Sequence, residues 1–256
     1  MLTDHHCHLQ DPKILPEIEK LLLQARNKDI FRFICCGTGE EDWSQVLKLS
    51  ERYSEILPAV GVHPWFVEKS SPDWIVKLER LLKQVPKCMI GEIGLDLYFC
   101  RETLELQKFF FEKQMLLGRK YGRPVSIHNV RASHLLLPFL RQFSDVKVLL
   151  HSFSASPEMT RELAALPKIF FSFSGTLLNS SKKLKEQIHL IPFNRILLET
   201  DSPDLLPQVL KNSGHKINVP ANLIFVLEKM AEILNIAPNI LKEQLAENSD
   251  TFLKDP

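Results

Sequence analysis

Nothing in the 256-residue sequence approaches the roughly 18 consecutive apolar residues that a membrane-spanning helix needs. No secretory leader is expected either, because the opening residues are acidic and histidine-rich where a leader is basic and then apolar. Cysteine is scarce: Cys7, Cys35, Cys36, Cys88 and Cys100 are odd in number, show no CxxC spacing and mostly sit in apolar runs as small hydrophobes do. A disulfide framework is therefore excluded, and reduced thiols fit a soluble, cytoplasmic protein. A strong charge bias is absent too. With a net charge of +1, bulk electrostatics would not hold the chain to nucleic acid, so any such contact must be local. No Gly/Ser linker, low-complexity tract or internal repeat divides the chain, which is expected to fold as one domain over residues 1–256. No membrane and no obligate protein partner are expected.

What is present is alternation. Short apolar runs lie at Met1–Leu9, Phe31–Cys36, Ile56–Val62, Cys88–Leu95, Pro124–His128, Val146–Phe153, Ile169–Ser174 and Arg195–Glu199. Between them, Ile14–Asn27, Trp43–Tyr53, Trp74–Gln84, Leu104–Tyr121, Ala132–Gln142, Pro157–Leu166 and Ser181–Leu190 show helical spacing. Strand then helix, repeated, predicts a parallel sheet with right-handed crossovers. The count fits an α/β fold of the (β/α)₈ TIM-barrel type, and an open doubly wound sheet gives a similar pattern. After Pro220 the helical stretches Leu223–Leu234 and Pro238–Leu253 supply the eighth barrel helix and an extra C-terminal one.

Histidine is where the sequence departs from chance. Six of the nine histidines (His5, His6, His8, His63, His128 and His151) fall at strand ends or just before a loop. Glu92, Asp96, Glu199 and Asp201 join them, and barrel active sites lie at the C-terminal strand ends. Residues two apart on a strand share a face, so Asp4, His6 and His8 point one way and His5, Cys7 and Leu9 the other. His6 and His8 could then chelate one ion, with Glu92 and Asp201 completing or bridging a site. The alternative for such an HxH pair is a hydrogen-bonded pair in a core.

The motifs that carry these residues are Asp4-His5-His6-Cys7-His8-Leu9, Gly61-Val62-His63-Pro64-Trp65, Ile90-Gly91-Glu92-Ile93-Gly94-Leu95-Asp96, Pro124-Val125-Ser126-Ile127-His128, His151-Ser152-Phe153-Ser154 and Leu197-Leu198-Glu199-Thr200-Asp201-Ser202-Pro203. Asn218-Val219-Pro220-Ala221-Asn222 is a weaker match, and Gln107 and Gln114 fit a glutamine pattern on the helix after the fourth strand. Taken in order over almost the whole chain, they resemble the TatD family of metal-dependent hydrolases and deoxyribonucleases. The resemblance implies two divalent ions per subunit (Mg, Mn, Zn or Fe), with His6, His8, Glu92 and Asp201 on one and Glu92, His128 and His151 on the other. It also implies hydrolysis of DNA phosphodiesters, on single-stranded or frayed ends, by a water that the ions activate. Asp201 would accept the water's proton, His63 would contact phosphate or transfer a proton, and Glu199 would orient a ligand or water.

Substrate contacts are read from the loops past the third and fourth strands. Trp65, Phe66, Tyr98, Phe99 and Arg101 could stack bases and receive phosphate there, or could be ordinary loop packing. For His63 the structural alternative is a loop histidine packed beside Trp65, and for Asp96 a loop or helix cap. The basic stretches Gly118–Arg123 and Lys182–Lys185 read as solvated helix faces. Some positions depart from the family pattern: Asn129-Val130-Arg131 replaces a serine-arginine-aspartate run, Ala155 stands where glycine is common, and Lys211–Lys216 lacks an arginine-glycine-lysine run. A small-molecule amide, lactone or phosphoester hydrolase of the same barrel is the first alternative, and a non-catalytic metal-binding scaffold the second.

Overall fold

The apolar runs form strands β1 (Leu2–Cys7), β2 (Ile30–Cys36), β3 (Ile56–Val60), β4 (Met89–Asp96), β5 (Val125–Val130), β6 (Val148–Leu150), β7 (Ile169–Phe173) and β8 (Ile196–Leu198), joined in that order with every neighbouring pair parallel. These and all further coordinates come from a computed structural model that describes residues 1–179 and 182–254. β8 returns to β1 through backbone hydrogen bonds from Asp201 N to His6 O (2.9 Å) and from His8 N to Ser202 O (2.7 Å). The sheet is thus a nearly closed barrel, and the open doubly wound alternative falls away. No helix among the described residues is long and apolar enough to cross a membrane.

Helices α1 (Ile18–Arg26), α2 (Glu40–Arg52), α3 (Trp74–Gln84), α4 (Leu104–Tyr121), α5 (Ser133–Gln142), α6 (Pro157–Ala164) and α7 (Lys182–Ile188) link successive strands. Ser181, expected to open α7, lies outside the described residues, as do the side chains of Lys182 and Lys183. α8 (Gln208–Asn212), α9 (Leu223–Leu234) and α10 (Pro238–Leu253) follow β8. Local chemistry sets the ends. α2 starts ahead of its first apolar residue because Glu40, Glu41 and Asp42 suit the positive helix end, and Asp42 bonds back to Thr38 N (2.9 Å) and Gly39 N (3.3 Å). α4 stops where Gly122 takes φ 63°, the left-handed conformation that glycine adopts without strain. β6 is shorter than its apolar run. Ser152, with φ 43°, turns the chain outward directly after His151, and Val146 N is tied into a turn with Phe143 O.

Packing falls into two shells. One buried cluster joins strands to helices and includes Phe33, Val60, Ile90, Ile127, Leu150, Phe171 and Leu198. The alternate positions Ile34, Cys36, Ala59, Met89, Leu149, Phe170 and Leu197 form a separate cluster that fills the barrel. α10 closes the N-terminal end of that barrel: Asn248 Nδ2 donates to Phe193 O (2.9 Å) and Ile196 O (2.8 Å), and the fully buried Phe252 packs on Phe170 at 5.2 Å. Phe252→Ala is expected to cost about 3–5 kcal/mol, the usual range for a buried phenylalanine. Denaturant unfolding of the two proteins measures it; a cost near zero would show that the barrel interior does not depend on this ring.

Candidate metal centre

The histidines and acids expected at strand ends meet at the C-terminal mouth of the barrel, except His5, which faces the other way and bonds Leu198 O (3.2 Å) and Ser249 Oγ (3.1 Å). β1 delivers His6 and, just past its end, His8; His63 follows β3; Glu92 and Asp96 lie on β4; His128 lies on β5; His151 follows β6; Glu199 and Asp201 follow β8. The alternation expected on β1 holds for His6 and His8, while a register shift between Asp4 and Cys7 turns Asp4 aside. Asp4 instead accepts from Thr200 N (2.9 Å) and Thr200 Oγ1 (2.5 Å) across the β1–β8 seam. Glycine permits the close β4–β5 approach: a Cβ on Gly94 would stand 1.9 Å from His128 O.

Glu92 sits at the centre, and its two oxygens face different partners. Oε2 lies 3.3 Å from His6 Nε2 and 3.6 Å from His8 Nε2, and Asp201 Oδ1 completes that side at 3.8 Å and 3.4 Å from the same two nitrogens. Oε1 lies 2.9 Å from both His128 Nδ1 and His151 Nε2 and 3.4 Å from His63 Nε2. Six ring and carboxylate side chains therefore surround one carboxylate in two groups.

The far side of each ring fixes its tautomer. His8 Nδ1 donates to Cys36 O (2.7 Å), so that in the neutral ring the lone pair is on Nε2, toward Glu92 and Asp201. His128 Nε2 donates to Asp96 Oδ2 (3.1 Å), so that in the neutral ring the lone pair is on Nδ1, pointing inward. His151 Nδ1 faces Glu199 Oε1 (3.3 Å), which is itself held by Ser152 N (2.7 Å). His6 Nδ1 is held by Ser126 Oγ (3.0 Å), and its buried Nε2 has no hydrogen-bond partner. His63 is reversed. Its Nδ1 accepts from Trp65 N (3.1 Å), so the neutral ring carries its proton on Nε2, pointing inward. His63 Nε2, Glu92 and His128 are close enough to share an ion, but this tautomer makes His63 a donor.

Charge follows the same division. Burial opposes ionisation of Glu92, yet His151, His63 and His6 outweigh it and hold the carboxyl well below the usual range. Burial likewise works against an ionised Asp201, and the bond to His8 with the charges of His151 and His6 brings it below its ordinary value. His8 would lose its proton through burial alone, but Asp201 and Glu92 lift it to about 9. His151 rises well above its usual value because Glu92 and Glu199 overcome burial, and His128 rises because Asp96 and Glu92 do. For His63, burial prevails over Glu92 and brings the ring down to about 4. His63 thus moves opposite to His8, His128 and His151.

The site forms the floor of an open cavity of about 550 Å³, lined among others by His8, Gln10, Asp42, His63, Trp65, Phe66, Glu92, Phe99, His128, His151, Asp201 and Asp204. The family model described as TatD related DNase matches residues 3–254. The chain belongs to the TatD family of metal-dependent hydrolases. It is 29% identical over 260 residues to the uncharacterized metal-dependent hydrolase YabD of Bacillus subtilis, covering 99% of each chain. To the human protein named deoxyribonuclease TATDN3 it is 28% identical over 261 residues, covering 97% of this chain and 93% of that one. The crystal structure of YjjV, a TatD homologue from Escherichia coli, superposes with a TM-score of 0.92 at 27% identity, covering 100% of this chain and 98% of that one.

Not every residue expected at the site reaches it. Trp65, Phe66 and Phe99 line the cavity, whereas Tyr98 and Arg101 do not; Tyr98 lies under the Arg131 guanidinium at 4.3 Å. His63 makes two sets of contacts: it packs edge-on against Trp65 at 4.9 Å, as its structural alternative expects, and its Nε2 faces Glu92. Asp96 does the same: Oδ1 accepts from Tyr98 N (2.7 Å) and Phe99 N (2.9 Å), while Oδ2 serves His128 and Trp65 Nε1 (2.7 Å). Those bonds keep its carboxyl below its ordinary value against the opposing pull of burial. Gln107 and Gln114 are fully buried braces, their Oε1 atoms accepting from Asp96 N (2.9 Å) and Val62 N (2.7 Å). Asn218 ties its loop to the segment just after β8, its Nδ2 donating to Thr200 O (2.8 Å). Of the basic stretches, Arg119 pairs with Asp145 and Lys120 with Glu79, as a solvated face does. Sequence reasoning missed Ser126, the Cys36 carbonyl and Gln10, which bonds Cys36 O (2.8 Å) and Asp42 (3.0 Å). Only Ser126 left a trace, two residues before His128 on the same strand face.

Proposed function

We propose that this protein is a two-metal phosphodiesterase that hydrolyses DNA, acting on single-stranded or frayed ends. The observation that carries the reading is the division of Glu92, one oxygen toward His6 and His8 and the other toward His128 and His151. The donors fit divalent ions: the inward lone pairs of His8 and His128 are set by their outer bonds, and His6 Nε2 is buried without a hydrogen-bond partner. His6, His8, Glu92 and Asp201 would hold one ion, and Glu92, His128 and His151 the other. Mixed imidazole and carboxylate donors suit Zn²⁺, Mn²⁺, Fe²⁺ or Mg²⁺. Such ions supply Lewis-acid polarisation of a phosphoryl oxygen and acidification of water.

The chain's own side chains do the rest. Asp201, ionised at the cavity floor, accepts the proton of the attacking water. His63, neutral with its proton on Nε2, donates a hydrogen bond to a non-bridging phosphoryl oxygen. Glu199 holds His151 in orientation, and Asp96 does so for His128. A mouth at the end of a barrel admits a strand terminus more readily than the middle of a duplex.

Metal-stripped protein resupplied with Mg²⁺, Mn²⁺ or Zn²⁺ is expected to digest an end-labelled single-stranded oligonucleotide to a ladder. His128→Ala is expected to lower the rate about a hundredfold or more, since several kcal/mol of charge stabilisation depend on the ions. A second reading has its own support: among the described residues the cavity lining holds no lysine or arginine but does hold Asp11, Asp42 and Asp204, which suits a small, weakly charged ester or amide. Turnover of such substrates without release of nucleotides would decide for it.

A further inference from the structure

Two apolar rings stand half-exposed at the rim of the cavity, and neither position is explained by a hydrophobic core. Trp65 is 47% and Phe99 64% exposed, whereas the other tryptophans, Trp43 and Trp74, are buried. Both rings line the cavity that holds Glu92. Their centroids lie 5.1 Å apart with planes at 70°, so together they make a corner rather than a flat wall. Tyr98 braces Phe99 from outside, edge-on at 4.6 Å, and lies itself beneath Arg131. Such a corner offers one planar heteroaromatic ring a stacking face and an edge-on contact at once.

The corner is fastened to the reaction centre by one carboxylate. Asp96 Oδ2 accepts from Trp65 Nε1 (2.7 Å) and from His128 Nε2 (3.1 Å), and Asp96 Oδ1 accepts from Phe99 N (2.9 Å). Asp96 is fully buried, and its backbone is held at both N and O by Gln107 (2.9 and 3.2 Å). The indole, the backbone of the second ring and the His128 imidazole therefore move as one unit. A loop that merely packed would not need its tryptophan nitrogen on the carboxylate that orients His128.

We propose that Trp65 and Phe99 receive a single nucleobase of the substrate, and that Asp96 is a positioning residue fixing the register between that base and the groups around Glu92. The proposal rests on the nuclease reading and assigns the base, rather than the sugar or phosphate, as the feature recognised at the rim. Stacking on an aromatic side chain contributes about 1–3 kcal/mol per base, or roughly 5- to 150-fold in affinity. Loss of register lowers turnover even where binding survives.

The test uses the metal-loaded protein and oligonucleotides carrying an abasic tetrahydrofuran residue at each of the terminal positions in turn. In the wild type, one abasic position is expected to raise KM about tenfold, and in Trp65→Ala that sensitivity disappears. Trp65→Phe keeps a ring but removes the bond to Asp96, so KM stays within a few-fold while kcat falls; a purely structural role for Asp96 would not divide the two constants. Binding is followed independently through fluorescence, since Trp65 is the exposed tryptophan of the three. The normal oligonucleotide quenches it, and the one abasic at the sensitive position does not. Cleavage that ignores abasic substitution everywhere, or persists in its sensitivity in Trp65→Ala, overturns the base corner and leaves the nuclease reading intact. Quenching without cleavage keeps the corner and removes the nuclease; neither quenching nor cleavage removes both.

Discussion

Glu92→Gln is expected to lower turnover by about a thousandfold or more and to reduce the metal content of the protein. The amide keeps the volume of the carboxylate, so packing is preserved, but it cannot present an anionic oxygen to each side. One oxygen of Glu92 lies 3.3 Å from His6 and the other 2.9 Å from His128 and His151, so a single substitution replaces the donor on one side with an NH2 and leaves only a neutral amide oxygen on the other. Ions placed by such donors contribute several kcal/mol of charge stabilisation, and each 1.36 kcal/mol is tenfold in rate. Elemental analysis together with steady-state kinetics measures both effects. A variant that retains two ions and wild-type turnover would refute the bridging role of Glu92.

Metal uptake by the stripped protein is expected to tighten steeply with pH. In the absence of ions, His8 holds its proton up to about 9, and His128 and His151 are also raised, because carboxylates surround them. Below those values the rings are cations that an ion must displace, so affinity is weakest in acid, rises as pH climbs, and levels off above the pKa of each ring. For every proton released, the dissociation constant falls about tenfold per pH unit, since one unit is about 1.36 kcal/mol. Calorimetric titration in buffers of different ionisation enthalpy, between about pH 6 and pH 9, counts the protons directly. A dissociation constant that does not change across that range would show that the rings are already neutral.

Much of this was legible in the sequence, and the reasons are local. His6 and His8 sit two apart on a strand, and the acids Glu92, toward the end of its run, and Asp201, just past its own, lie where barrel chemistry does, so the cluster could be placed without coordinates. What was not legible depends on partners far along the chain. Asp96 reads equally as a cap or as a site residue until Trp65, 31 positions away, and His128, 32 positions away, are seen on the same oxygen. Arg101 and Tyr98 follow Phe99 or precede it by only a residue or two, yet the turn that Asp96 caps aims Phe99 at the cavity and Tyr98 away from it. Asp4 has the right period but bonds Thr200 instead, beside the register shift in β1 between Asp4 and Cys7. The helix α8 carries no periodic apolar face long enough to announce itself.

The seam between β1 and β8 has a consequence for how the protein is made. His5 bonds the carbonyl of Leu198 across 193 positions and the hydroxyl of Ser249 across 244, while β1 pairs with β2 across fewer than about thirty. On the ribosome, β1 therefore emerges with a partner on one side only, and stays so until the β8 segment has been synthesised. Contacts of such long separation form late. His6 and His8 are on one side of that seam and Asp201 on the other, so the nascent chain cannot assemble the donor set proposed for it before the ring of strands shuts. On the proposed ligand set, closure of the barrel and competence to capture ions are the same folding event.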